Sequence, residues 1–275
     1  MRDRFPLLWL ALHRRRRMLT ALVLGMAVFE LLIVVIAGTV PHGRMFGGDG
    51  GGRTPPSAFK AFSGSTGSVS IGSYPGLVGA GLTHPFWIAL QVTAIASLSA
   101  AAVAADVESG TIELVVVRPV SRARLLAERT AAPVLAALAL NAVATLTVAA
   151  GVALSPDMHH DVPLRGVFIA GLLGWALTLC LLGPALAVSA AARRRAHVLG
   201  AAIALGAVGF ALNFVALAWS KAGPLRYASP FHYYTPGDIL AHPTVPWGSL
   251  GVLCGVGVAG IAAAFAVLLR RDLAP

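Results

Sequence analysis

"MLTALVLGMAVFELLIVVIAGTV", Met18 to Val40, decides what kind of molecule this chain is, because across the whole run the only ionisable residue is Glu30. An α-helix rises about 1.5 Å per residue, so a run of this length crosses a hydrocarbon core of about 30 Å. The arginines before it, Arg14 to Arg17, give it the flank of a secretory signal. Its apolar stretch, however, is well beyond the roughly 7–15 residues of a cleavable signal core, so it reads as a retained transmembrane helix.

Five further runs of the same kind follow: His84–Ala105, Leu125–Leu154, Gly166–Ala190, His197–Trp219 and Trp247–Leu269. The composition agrees, with 57% hydrophobic and 12% charged residues and a mean hydropathy of +0.79, far from a soluble domain. The expected fold is all-α, a polytopic membrane protein with one six-helix transmembrane domain over residues 18–269. Residues 1–17 place Phe5, Leu8, Trp9 and Leu12 at helical spacing among arginines, the pattern of an amphipathic helix lying in the headgroup layer.

Lys and Arg positions set orientation. With the N-terminus in the cytoplasm, fifteen of the 21 fall inside: Arg2, Arg4, Arg14 to Arg17, Arg118, Arg122, Arg124, Arg129, Arg193 to Arg195, Arg270 and Arg271. Arg44, Arg53, Lys60, Arg165, Lys221 and Arg226 stay outside. Both termini, including the tail 270–275, are therefore expected to be cytoplasmic. The net charge of +10 follows from this orientation, with no need of a nucleic-acid partner. The Gly/Ser/Pro-rich residues 41–80 and the segment 220–246 become outer loops, and the former reads as mobile.

The inner loop 106–124 is the exception to the apolar pattern. "DVESGTIELVVVRPVSRARLLAER", Asp106 to Arg129, holds four of the eleven acids. Ser109 or Gly110 can cap a short helix with Glu113 in its first turn, Ile112, Val115 and Val116 on one face, and Pro119 at its end. Ser121 then caps the third span, where Arg124 and Glu128 form an i, i+4 pair.

The part "ESGTIELVVVRPVSRARLLAER" resembles the loop of ABC-2 type permeases, the membrane subunits of ATP-binding-cassette transporters; "SPFHYYTPGDILA", Ser229 to Ala241, is similar to a segment such permeases carry before the last span. Arg129 stands where the family often has lysine. The resemblance implies that the short helix is a coupling helix seated on an ATPase subunit, with Glu108, Gly110, Thr111, Ile112, Glu113, Val115, Val116, Arg118, Pro119, Ser121 and Arg122 as its contact residues. An apolar face in the cytoplasm needs a partner surface, and Asp106, Glu108 and Glu113 offer charges to orient docking.

The chain's two lysines, Lys60 and Lys221, sit in no phosphate-binding G-x-x-x-x-G-K-[ST] run. ATP and Mg²⁺ are accordingly expected on a separate ATPase chain, this chain being no enzyme and binding no cofactor of its own. The resemblance implies a second permease subunit, the same or different, and export across the plasma membrane of a prokaryote. An ion- or proton-coupled carrier using Glu30, with paired interrupted spans, and a non-transporting scaffold stay open as alternatives.

Within the spans, Glu30 lies near mid-depth, where a lipid-facing charge costs at least about 2.5–3.5 kcal/mol, so it is expected to face a partner or a cavity. Gln91, Asn141 and Asn213 complete the candidate translocation path, or hydrogen-bond between helices. Gly251 with Gly255, and Ala202 with Gly206, are small-residue pairs expected to pack helices. Cys180 and Cys254 lack any ligand spacing, and "DMHHD", Asp157 to Asp161, lacks a fixed geometry, so no metal site is expected.

Overall fold

The computed structural model describes residues 6–39, 69, 72–111 and 122–270. Among them the helices are α1 (Pro6–Arg14), α2 (Arg16–Thr39), α3 (Tyr74–Leu82), α4 (Pro85–Ala102), α5 (Ala104–Glu108), α6 (Arg122–Leu154), α7 (Pro156–Asp161), α8 (Leu164–Ala191), α9 (Arg195–Ala218), α10 (Pro236–Ala241) and α11 (Trp247–Arg270), with 3-10 turns at Ser220–Ala228 and Pro230–Tyr233. Six are long and apolar enough to cross a membrane, α3 and α4 counting as one. No strand occurs among the described residues. The fold is the all-α, six-span one.

A membrane span that is hydrophobic on every side can face either lipid or other helices, so burial and not apolarity marks the central helix. α8 is that helix: 78% of its most apolar window is buried, against 28% for α2 and α9 and 22% for α11. It forms the hub, packed by α4, α6, α9 and α11. The peripheral helices bury one stripe each. On α9 this is Val198, Ala202, Gly206, Gly209, Asn213 and Ala216, while Ile203, Val208 and Val215 on its other side are exposed.

Small residues set the closest approaches. A Cβ on Gly206 would lie 2.5 Å from a methyl of Val92, so the Ala202/Gly206 stripe does pack α9 on α4. The expectation for Gly251 and Gly255 is corrected, because a Cβ on either meets nothing within 4 Å. Gly257 and Gly260, on another face of α11, make the contact instead, against Gly183 of α8. The physical reason is rotational: a four-residue spacing marks a face of a helix but does not say what that face meets.

The second span starts earlier than its apolar run. Ser73 caps α3, its Oγ accepting from Gly76 N–H at 3.3 Å, and Pro75 occupies the first turn. The last residues of the Gly/Ser/Pro-rich stretch are therefore helical from Tyr74. α3 packs on α10 with almost no space between backbones, a Cβ on Gly79 falling 2.4 Å from Gly237 Cα.

The span is also interrupted twice, at Thr83–His84 and at Val103. At the second break two backbone groups leave the helical ladder and both are satisfied by neighbours: Ala102 C=O accepts from Arg129 of α6 at 2.9 Å, and Ala104 N–H donates to Ser189 Oγ of α8 at 3.3 Å. Such substitution is what permits a break at membrane depth. Both breaks lie at the ends of the 18-residue α4 and leave its middle intact.

Candidate coupling site and polar core

Arg15, Arg124, Arg129 and Arg195, far apart in the sequence, gather at one end of the bundle. Arg129 ion-pairs with Asp106 and bonds Ala102 C=O, tying α6 to α4 and α5. Glu108 accepts from Arg195 N–H at 2.8 Å, so its carboxylate caps the start of α9, where an acid also suits the helix dipole. Glu128 meets Arg124 at 2.9 Å, the expected i, i+4 pair. Its other oxygen accepts from Leu7 and Leu8 N–H at 3.0 and 3.2 Å, which caps α1. Arg15 reaches Ser97 C=O at 3.0 Å. Burial and the nearby Arg195 outweigh Asp106 and push the Arg15 guanidinium below its ordinary pKa.

Gly110 has φ +69°, the left-handed region that favours glycine. It donates to Val107 C=O at 3.2 Å and ends α5. Gly110 thus closes the helix before it; the following helix that Ser109 or Gly110 is expected to cap lies outside the described residues. The α5 ending sets the direction in which the chain leaves toward Thr111, and α6 begins at Arg122. Ile112, Glu113, Val115, Val116, Arg118, Pro119 and Ser121, with the helix expected there, lie outside the described residues. Of the three acids expected to orient docking, Asp106 and Glu108 are engaged inside the chain, as struts between helices.

In the membrane-spanning part, α4, α6 and α8 each contribute one polar side chain to a buried cluster. Gln91 Nε2 donates to Asn141 Oδ1 at 3.1 Å, and Asn141 Nδ2 donates to Thr178 Oγ1 at 3.0 Å and to Ala137 C=O at 2.9 Å. Gly174 makes room for it, since a Cβ there would lie 3.0 Å from Asn141 Oδ1 and 3.5 Å from Tyr234 Oη. Two of the four candidate path residues thus meet. Asn213 sits on the buried stripe of α9 and shares no hydrogen bond with this cluster among the described residues.

Thr178 is the member that sequence reasoning missed, and Tyr234, which borders the cluster at Gly174, is a second such residue. Tyr234 belongs to "SPFHYYTPGDILA", which is drawn into the bundle. Ser229 Oγ donates to Gly209 C=O at 2.7 Å, Phe231 meets Phe210 edge-on, and Tyr234 stacks on Trp87 at 5.5 Å and donates to Leu82 C=O at 3.3 Å. Burial, with Glu30 nearby, holds the Tyr234 phenol well above its usual pKa, so it stays a neutral donor. Glu30 itself is fully buried, and neither carboxylate oxygen has a hydrogen-bond partner among the described residues. α2 turns Glu30 into the packed core, where Met26, Phe29 and Val34 of the same helix are also buried.

The cluster's geometry gives a stability prediction. Asn141→Leu removes two interhelical bonds and leaves Gln91 and Thr178 short of partners inside the bundle, which costs about 1–3 kcal/mol. Thermal unfolding of the purified protein is expected at a lower midpoint, with Asn213→Leu affected less. Equal losses at the two positions refute a special role for the cluster.

A six-span helical bundle with one end braced around a short charged loop is the architecture of a membrane permease. The chain belongs to the ABC-2 family: the family model described as ABC-2 family transporter protein matches residues 12–273. No curated protein matches it. It is thus a multi-pass membrane subunit of the ABC-transporter kind, a class whose partners are an ABC ATPase and the lipid bilayer.

Proposed function

We propose that this chain is the permease of a prokaryotic plasma-membrane exporter, driven by ATP and Mg²⁺ bound on a separate ATPase subunit. Two permease chains, identical or different, would stand with two ATPases, and the exposed apolar faces of α2, α9 and α11 offer surface for such pairing. The termini and the arginine-rich end face the cytoplasm, in keeping with the Lys/Arg bias.

The observation that carries this reading is the bracing at both ends of the 106–124 loop. Asp106 and Glu108 tie its beginning to α6 and α9, and Glu128, just inside α6, ties its end to α1. A displacement of the loop by an ATPase would therefore move several helices together, which is what transmission requires. Copurification of an ABC ATPase with the tagged chain, and ATP-dependent uptake into inverted vesicles, test it directly. Labelling of a thiol at position 121 by an impermeant reagent in intact cells would refute the orientation.

The unpartnered Glu30 favours a second reading, a carrier in which this carboxylate binds an ion. Under the ATP-driven reading Glu30 contributes to the transport cycle by pairing in another conformation. A coupling free energy of about 1–3 kcal/mol then makes Glu30→Gln roughly tenfold slower in ATP-driven transport, with assembly unchanged. Transport by the wild type that an ion gradient drives without ATP selects the carrier.

A further inference from the structure

A cavity of about 430 Å³ opens at the arginine-rich end between α1, α2, α4 and α6. Its lining combines apolar residues, Leu10, Met18, Leu98 and Pro133 among them, with Arg14, Arg15, Arg17 and Arg129 against a single acid, Asp106. Arg129 is occupied by Asp106, and Arg15 spends one N–H on Ser97. Arg14 and Arg17 are exposed, and their guanidinium groups have no hydrogen-bond or ion-pair partner among the described residues. The cavity therefore holds an excess of positive charge that the described residues leave uncompensated.

From this juxtaposition of a basic rim and an apolar wall at the end of a membrane span, we propose that the cavity binds an anionic phospholipid. Its phosphate sits among Arg14, Arg15 and Arg17, and its acyl chains lie along Leu10, Met18, Leu98 and Pro133. Guanidinium groups match a phosphate in bidentate geometry, and a basic cluster beside a span attracts anionic lipid. A free phosphate ion would satisfy the rim and leave the wall unused. The site is preformed, because Glu128 pins the start of α1 and Leu8 is buried beneath it. A bound phosphate also offsets the repulsion between Arg15 and Arg195, whose effect on Arg15 is noted above. The proposal needs only that the six spans lie in a bilayer; its assignment to the cytoplasmic leaflet rests on the proposed orientation.

The test uses the purified full chain extracted from vesicles of phosphatidylcholine alone or of equimolar phosphatidylcholine and phosphatidylglycerol, with retained lipid counted by native mass spectrometry. The wild type is expected to retain phosphatidylglycerol over phosphatidylcholine. Arg14→Gln and Arg17→Gln are each expected to weaken that retention about fivefold, while Arg16→Gln, outside the cavity lining, leaves it unchanged. Both lining residues are exposed, so the single variants preserve the fold, and Leu10→Asn tests the apolar wall independently. Equal loss in Arg16→Gln reduces the effect to diffuse surface charge and overturns the site. Displacement of the lipid by inorganic phosphate, or unchanged retention in Leu10→Asn, makes it an anion site and overturns the lipid assignment. None of these results depends on an ATPase, so the proposed transport function stands or falls separately.

Discussion

Gly183→Val is expected to lower the thermal midpoint of the purified protein by about 5 °C or more, while Gly255→Val leaves it close to the wild type. A Cβ on Gly183 would fall 2.1 Å from Gly257 C=O, one on Gly257 2.7 Å from Leu179 C=O, and one on Gly260 2.3 Å from the carbonyl carbon of Gly183. These neighbours are backbone, so no side chain can swing aside and α8 must part from α11. In a bilayer, helix pairs are held by such close packing, without a hydrophobic force to substitute for it. Overpacking costs about 1–3 kcal/mol in ordinary cores, and a fixed backbone places this site at the upper end, which for a chain of this size corresponds to the shift stated. Gly255 faces open space, so its valine adds only surface. Monodisperse Gly183→Val protein melting with the wild type would show that the two helices do not touch there.

The contrast between these two glycines shows what was legible in the sequence. Length and apolarity sufficed for the six spans, since hydrocarbon thickness constrains both strongly. Rotation about each helix axis was not legible: Gly251 and Gly255 stood out by their spacing, yet Gly257 and Gly260 meet the hub. The α3 start was present in Ser73 and Pro75 but hidden by the glycines and serines before it. Gln91 and Asn141 are conspicuous as amides among alanines and leucines. Thr178 is not, because a threonine in a span ordinarily bonds its own helix, and this one does so as well, to Gly174 C=O at 2.8 Å. The Arg124–Glu128 pair follows from helical periodicity. The Asp106–Arg129 and Glu108–Arg195 contacts join helices distant in sequence, and no local rule reaches them.

Ile112→Asp is expected to dissociate or uncouple the ATPase, the largest functional effect of any single change in the loop. The residue follows a turn whose direction is fixed by Gly110 at φ +69° and by the struts Asp106 and Glu108. Under the proposed docking, Ile112 is one of the apolar positions that the ATPase covers. An apolar anchor desolvated at the centre of an interface carries about 2 kcal/mol or more, and an unpaired charge there costs further. A loss of thirtyfold or more in association follows from that anchor alone. Gly110→Ala forces a side chain into the left-handed region at a cost of about 1–2 kcal/mol, and its effect should be smaller and graded. Glu108→Gln weakens the cap on α9 while leaving the apolar face intact, so it should perturb transmission more than binding. ATPase copurification and substrate-stimulated hydrolysis, measured together, separate these outcomes. Wild-type levels of both in Ile112→Asp would mean that the ATPase docks elsewhere and that the struts merely join neighbouring spans.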